Sequence, residues 1–154
     1  MIAGAHHRGD GCSGGSAAGM TQRTAAQRHG DAAEQLVADR LAQAGWTVLA
    51  RQVRIGRDEL DLMAIDPGPP RELVVIEVRW RARRDFGVGE ETFDWRKQLR
   101  LRRAMARLVG DGRLPDGRPL PALAARVDVD LVVVEPGPTG GAKVVRHHRA
   151  VLAG

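Results

Sequence analysis

A chain of 154 residues has the length of one domain, and its single cysteine, Cys12, excludes both an internal disulfide framework and a cysteine-built zinc centre. No run approaches the ~18 apolar residues of a membrane span, so a protein of the reducing cytoplasm, with no membrane partner, is expected. The net charge of +5 is carried by 22 arginines and only two lysines, Lys97 and Lys143, and it favours a polyanionic partner such as nucleic acid.

Residues 1–23 are rich in Gly and Ser and lack apolar periodicity, so they read as a disordered tail, with Met20 a credible alternative start. A single domain is expected over 24–154. A helix is predicted over 24–44, ended by Gly45, with Ala33, Leu36, Val37, Leu41 and Ala44 as its buried stripe and Glu34 at the margin. Strands follow at 46–53, 59–65 and 73–80, the first two joined at Ile55-Gly56-Arg57 and the next two through Pro67-Gly68-Pro69-Pro70. A second helix fits 93–109, residues 110–121 read as a loop, and two strands fit 125–134 and 143–151. The order αβββαββ gives an α/β fold, a central mixed sheet flanked by helices.

The informative residues are acids placed where they cost energy. In 73–80, alternation puts Leu73, Val75, Glu77 and Arg79 on one face and Val74, Ile76 and Val78 on the other. Both faces are otherwise apolar, so this strand is covered on two sides and Glu77 must be paired, protonated or bound to a cation. Asp61 sits in the same sense among Leu60, Leu62 and Met63. Neighbouring strands lie ~4.8 Å apart, which brings the two carboxylates together and suits Mg²⁺, an ion that takes one or two carboxylates plus water. Spacing alone favours the other reading, a metal-free cluster in which Arg79 pairs with both acids. Asp128 and Asp130 share a face with Arg126 opposite Val127, Val129, Leu131 and Val133, the pattern of a half-exposed strand. His147 and His148 point to opposite faces and read as surface or partly packed residues.

The basic excess is local. Residues 79–107 hold ten basic side chains against four acids, a net +6 that exceeds the charge of the whole chain. Arg96, Arg100, Arg103 and Arg107 form one stripe of the second helix beside the buried stripe Leu101, Ala104, Met105 and Leu108. With Arg81 they are the candidate phosphate contacts. With three Trp, two Phe and no Tyr in the chain, backbone binding is expected rather than base reading through stacked aromatics. Lys97 lies at the edge of the buried stripe, where a lysine stem ordinarily snorkels outward.

Taken in order, several of these segments resemble the YraN family, small bacterial proteins regarded as candidate endonucleases and similar to Holliday-junction resolvase-like PD-(D/E)XK nucleases. Gly30-Asp31-Ala32-Ala33-Glu34 carries the family's helix glutamate, with Ala33 in place of its usual glycine. Asp58-Glu59-Leu60-Asp61-Leu62 is similar to its Gly-Glu-Ile-Asp-Leu, and Val75-Ile76-Glu77-Val78-Arg79-Trp80-Arg81 to its Val-Glu-Val-Lys-x-Arg strand. Phe86-Gly87, Lys97 and Arg126-Val127-Asp128-Val129 match later positions, so the likeness spans about 28–151.

The resemblance implies a restriction-endonuclease-like αβββαβ core and cleavage of DNA phosphodiesters with Mg²⁺, or Mn²⁺ in its place. It implies that Asp61, Glu77 and the Val78 carbonyl hold the metal while Glu34 completes the acidic site. A junction substrate would favour a homodimer. The departure is Arg79, which stands where the motif has lysine. Arginine keeps the charge but is planar and never a base, so either Arg79 holds a phosphate oxygen or Lys97, from the next helix, replaces the strand lysine. The alternatives are a non-catalytic nucleic-acid-binding member of the same fold and a basic protein-interaction module.

Overall fold

The computed structural model of the chain describes residues 24–81, 94–121 and 127–151. The expected tail, Phe86-Gly87 and Arg126 lie outside the described residues. Helix α1 (Ala25–Gln43) starts on a capping box, in which Gln27 N donates to Thr24 Oγ1 at 3.2 Å and Thr24 N donates to Gln27 Oε1 at 2.8 Å. It stops where Gly45 turns left-handed at φ +87°, and Trp46 N closes back on Leu41 O at 2.9 Å. Strands β1 (Thr47–Ile55), β2 (Asp58–Asp66) and β3 (Glu72–Trp80) form an antiparallel meander, with Gly56 at φ +63° supplying the tight β1–β2 turn.

Helix α2 (Trp95–Asp111) then carries the chain over the sheet, so that β4 (Val127–Pro136) runs parallel to β3 before β5 (Ala142–His148) returns antiparallel. The sheet order is β1-β2-β3-β4-β5. This is the expected mixed sheet flanked by helices, in the expected order of elements.

The two helices cover opposite faces. Leu101, Ala104, Met105 and Leu108 of α2, the stripe read from the sequence, pack on Leu73, Val75, Met63 and Val129. Ala33, Val37, Ala38 and Leu41 of α1 pack on Val74, Ile76, Leu62 and Val132. Consecutive residues of β3 therefore enter different cores, which is why both of its faces read as apolar.

Two element ends shift for a local backbone reason. Helix α2 runs two residues past 109 because Gly112 at φ +61°, not Gly110, makes the left-handed stop. Strand β5 ends at His148 rather than 151, since Ala150 takes a positive φ of +54° and its N–H turns to Asp130 Oδ1 at 2.9 Å. Asp130 itself is a correction. It is 3% exposed and not half-exposed, because β5 brings His147 Nε2 to 2.8 Å from its Oδ2.

Candidate functional site

The sheet opens at one point, and the acids stand there. The β2–β3 ladder ends at the pair Leu62–Ile76, and its register sets the next residues, Asp61 and Glu77, across from each other. On the other side, the flanking pairs Arg51–Leu62 and Val53–Leu60 set Gln52 opposite Asp61. Where the backbone ladder stops, a side chain replaces it, and Val78 N donates to Asp61 Oδ2 at 2.8 Å. Glu77 is 5% exposed, and Lys97 Nζ reaches down from α2 to within 2.6 Å of its Oε1. The lysine stem at the edge of the buried stripe thus bends inward to a carboxylate.

The electrostatics follow from this crowding. Burial pushes the Asp61 carboxyl up to about 7, with the Glu77 charge second, and only part is returned by the Val78 N–H and Lys97. Glu34 on α1 is also raised, by burial first and then by Asp61, while the Gln52 amide and Arg51 pull the other way. Glu77 Oε2 and Glu34 Oε2 are buried without a hydrogen-bond partner, so each has a lone pair to give to a cation or a water. Among the described residues no three His, Cys, Asp or Glu side chains are arranged as a ready-made metal cluster. Two adjacent carboxylates, one with an unpartnered buried oxygen, have the donors that an ion otherwise completed by water, such as Mg²⁺, would need. Glu34 lies within electrostatic reach of that pair.

Gln52 was not singled out in the sequence. It holds a left-handed φ of +49° inside β1, two residues beyond Ala50, where the irregular step in register from Val48 ends. A non-glycine residue there costs of order 1 kcal/mol. The conformation lets its amide bond Glu34 and donate from Nε2 to Asp31 Oδ1 at 3.1 Å, so Gln52 positions the helix glutamate. A glutamine in a strand carries no local sign of this, since neither Gly nor Asn marks the bend.

The arginine stripe divides. Arg103 makes a forked contact with Asp58, Nε to Oδ2 at 3.1 Å and Nη2 to Oδ1 at 2.9 Å. Arg107 lies against the β1–β2 turn so closely that a Cβ on Gly56 would stand 2.7 Å from its Nη1. Both hold the hairpin to α2. Arg96 and Arg100 are exposed, and Arg100 lines a cavity of about 200 Å³ together with Lys97. Arg79 and Arg81 are partly buried at the end of β3.

A mixed α/β domain whose central strands open on a buried acidic pair, closed by a helix lysine, is thus defined. The sequence of this site runs through a region matching the uncharacterised protein family UPF0102, over residues 33–134, and the chain belongs to that family, the YraN family of the motifs above. It is 40% identical over 91 residues to a UPF0102 protein of Moorella thermoacetica, which covers 59% of this chain and 70% of the relative. It is 39% identical over 114 residues to one of Symbiobacterium thermophilum (74% and 87%), and 38% over 122 residues to one of Synechococcus sp. (79% and 87%). Among solved structures, Pyrococcus furiosus SfsA in complex with Ca²⁺ aligns over 80% of this chain and 64% of its own at 14% identity and TM-score 0.36. Among the described residues no helix is long and apolar enough to cross a membrane.

Proposed function

We propose that this chain is a Mg²⁺-dependent endonuclease-like protein that hydrolyses DNA phosphodiester bonds. The observation that carries the reading is the Lys97–Glu77 contact of 2.6 Å, which sets a cation from α2 beside the Asp61–Glu77 pair. Asp61 and Glu77 would hold the ion, with Val78 and Glu34 beside them, and a bound Mg²⁺ supplies an activated water and charge for the phosphate. Val78 N–H fixes the Asp61 carboxylate, and Gln52 fixes Glu34. Lys97 supplies the ammonium that the nuclease motif places on the strand, where this chain has Arg79. Arg81, Arg96 and Arg100 serve the phosphates on either side.

The test is incubation with branched and linear DNA in Mg²⁺, Mn²⁺ and EDTA beside Asp61→Asn. Cleavage that needs the metal and disappears in the variant is the expected result. DNA binding that needs no metal, with no cleavage and no change in Asp61→Asn, would make the chain a non-catalytic binder. In an active protein, Lys97→Ala that cleaves as well as the parent sinks the role given to Lys97.

A further inference from the structure

Helix α2 opens on an exposed tryptophan. Trp95 is 66% exposed and Leu99, one turn on and on the same edge, is 55% exposed. The other two tryptophans are occupied: Trp46 is buried under Arg149, whose guanidinium carbon is 5.3 Å from its ring, and Trp80 stacks on His29 at 5.1 Å. Around Trp95 lies a shallow cavity of about 610 Å³ lined by Arg57, Arg96, Leu99 and Arg100. It shares Arg57, Asp58 and Arg100 with the smaller cavity that Lys97 lines.

The two acids in this lining are already used, since Asp58 takes the fork of Arg103 and Asp94 caps α2 by accepting from Arg96 N at 3.1 Å. What remains facing outward is an indole with Arg96 5.5 Å from its centre, a leucine, and the guanidiniums of Arg57 and Arg100. An apolar ring among cations is the combination that binds a nucleotide by its base and its phosphate together. A double helix offers phosphates but keeps its base faces stacked inside. An unpaired strand offers both.

We propose that Trp95 is a stacking platform for an unpaired nucleotide, with Arg57, Arg96 and Arg100 on the neighbouring phosphates, so that single-stranded or frayed nucleic acid lies along α2 into the acidic site. It rests on the reading that this face meets nucleic acid, and it departs from the expectation of backbone-only contact by adding a base stacked on Trp95.

The experiment measures anisotropy of labelled oligo(dT) and of a duplex of equal length on the full chain, without metal, for the parent, Trp95→Ala and Trp95→Phe. Trp95→Ala should weaken oligo(dT) binding by about five-fold or more, the effect of losing one stacked base, and leave the duplex within about two-fold. Trp95→Phe should recover most of the loss. Equal oligo(dT) affinity in Trp95→Ala and the parent overturns the proposal, as does an equal loss on the duplex. Absence of all DNA binding overturns it too, and leaves a protein partner for the patch. Cleavage is scored separately: Trp95-dependent oligo(dT) binding without Mg²⁺-dependent cleavage keeps the platform and removes the nuclease, while cleavage indifferent to Trp95 does the reverse.

Discussion

Replacing Asp61 by asparagine removes a charge that the fold raises in energy. Its carboxyl ordinarily titrates at 3.8, and burial, then Glu77, push it to about 7. The native protein therefore holds this proton more tightly than the unfolded chain does. The favourable contribution is complete below the ordinary value and is lost as pH rises through about 7. About three pH units at 1.36 kcal/mol each set an upper limit of about 4 kcal/mol, and screening by solvent at the mouth of the site reduces it to about 2 kcal/mol. Asparagine keeps the shape and an oxygen for Val78 N–H. The parent should thus lose about 4–8 °C in Tm relative to Asp61→Asn between about pH 4 and pH 8. At the upper end the variant is the more stable protein. Millimolar Mg²⁺ at about pH 8 should raise the Tm of the parent and leave the variant unmoved, because only the parent has two carboxylates for it. Parallel pH profiles for the two proteins in thermal melts would refute the reasoning, for the burial of Asp61 would then have no energetic consequence.

Lys97→Met leaves Glu77 buried beside Asp61 with no ammonium; it should cost about 2 kcal/mol in denaturant unfolding, and adding Glu77→Gln should return most of that. Asp58→Asn frees the Arg103 guanidinium at a cost within about 1 kcal/mol, and should tighten DNA binding and steepen its log–log salt slope by about 0.9. Gln52→Gly relieves the positive φ but strips Glu34 of its amide partner; stability should stay within about 1 kcal/mol of the parent. In an active protein, kcat should fall about ten-fold with KM little changed, as expected when a positioning contact worth about 1.4 kcal/mol is lost at the reacting centre. An unchanged kcat removes Gln52 from the site.

The fold was legible wherever one element decides its own periodicity. Leu101, Ala104, Met105 and Leu108 announce the buried face of α2, and the alternation in β3 announces two cores. Asp61 and Glu77 stood out because a carboxylate among Leu, Val and Met needs a reason. What was not legible depends on partners far away in the chain. Asp130 looks like the polar side of a half-exposed strand until the β4–β5 register, Val132 against His147, places an imidazole beside its carboxylate. Arg103 and Arg107 read as free members of a stripe, but only the packing of α2 over the β1–β2 turn shows Asp58 and Gly56 beneath them. A helical angle set Lys97 at the margin of the core, and an angle does not say whether a four-carbon stem snorkels out or in.

The direction of that stem decides how the exchange of lysine for Arg79 is read. A strand side chain two residues from Glu77 shares its face and is carried past it by ~7 Å of rise. Arg79 is therefore held by the strand at a fixed offset, with a planar head that suits two oxygens at once. Lys97 approaches from above, on a flexible stem about a quarter exposed, and delivers a single point charge to one oxygen, Glu77 Oε1. Glu77 Oε2 is left without a partner, and Asp61 is left short of positive charge. One ammonium does not neutralise two neighbouring carboxylates, so either a proton on Asp61 or a further cation must balance the pair. The same α2 surface carries Arg100 and Trp95 outward from Lys97. A lysine on the helix thus ties the acidic pair to the proposed strand-binding groove through one rigid element, which a lysine on β3 does not do.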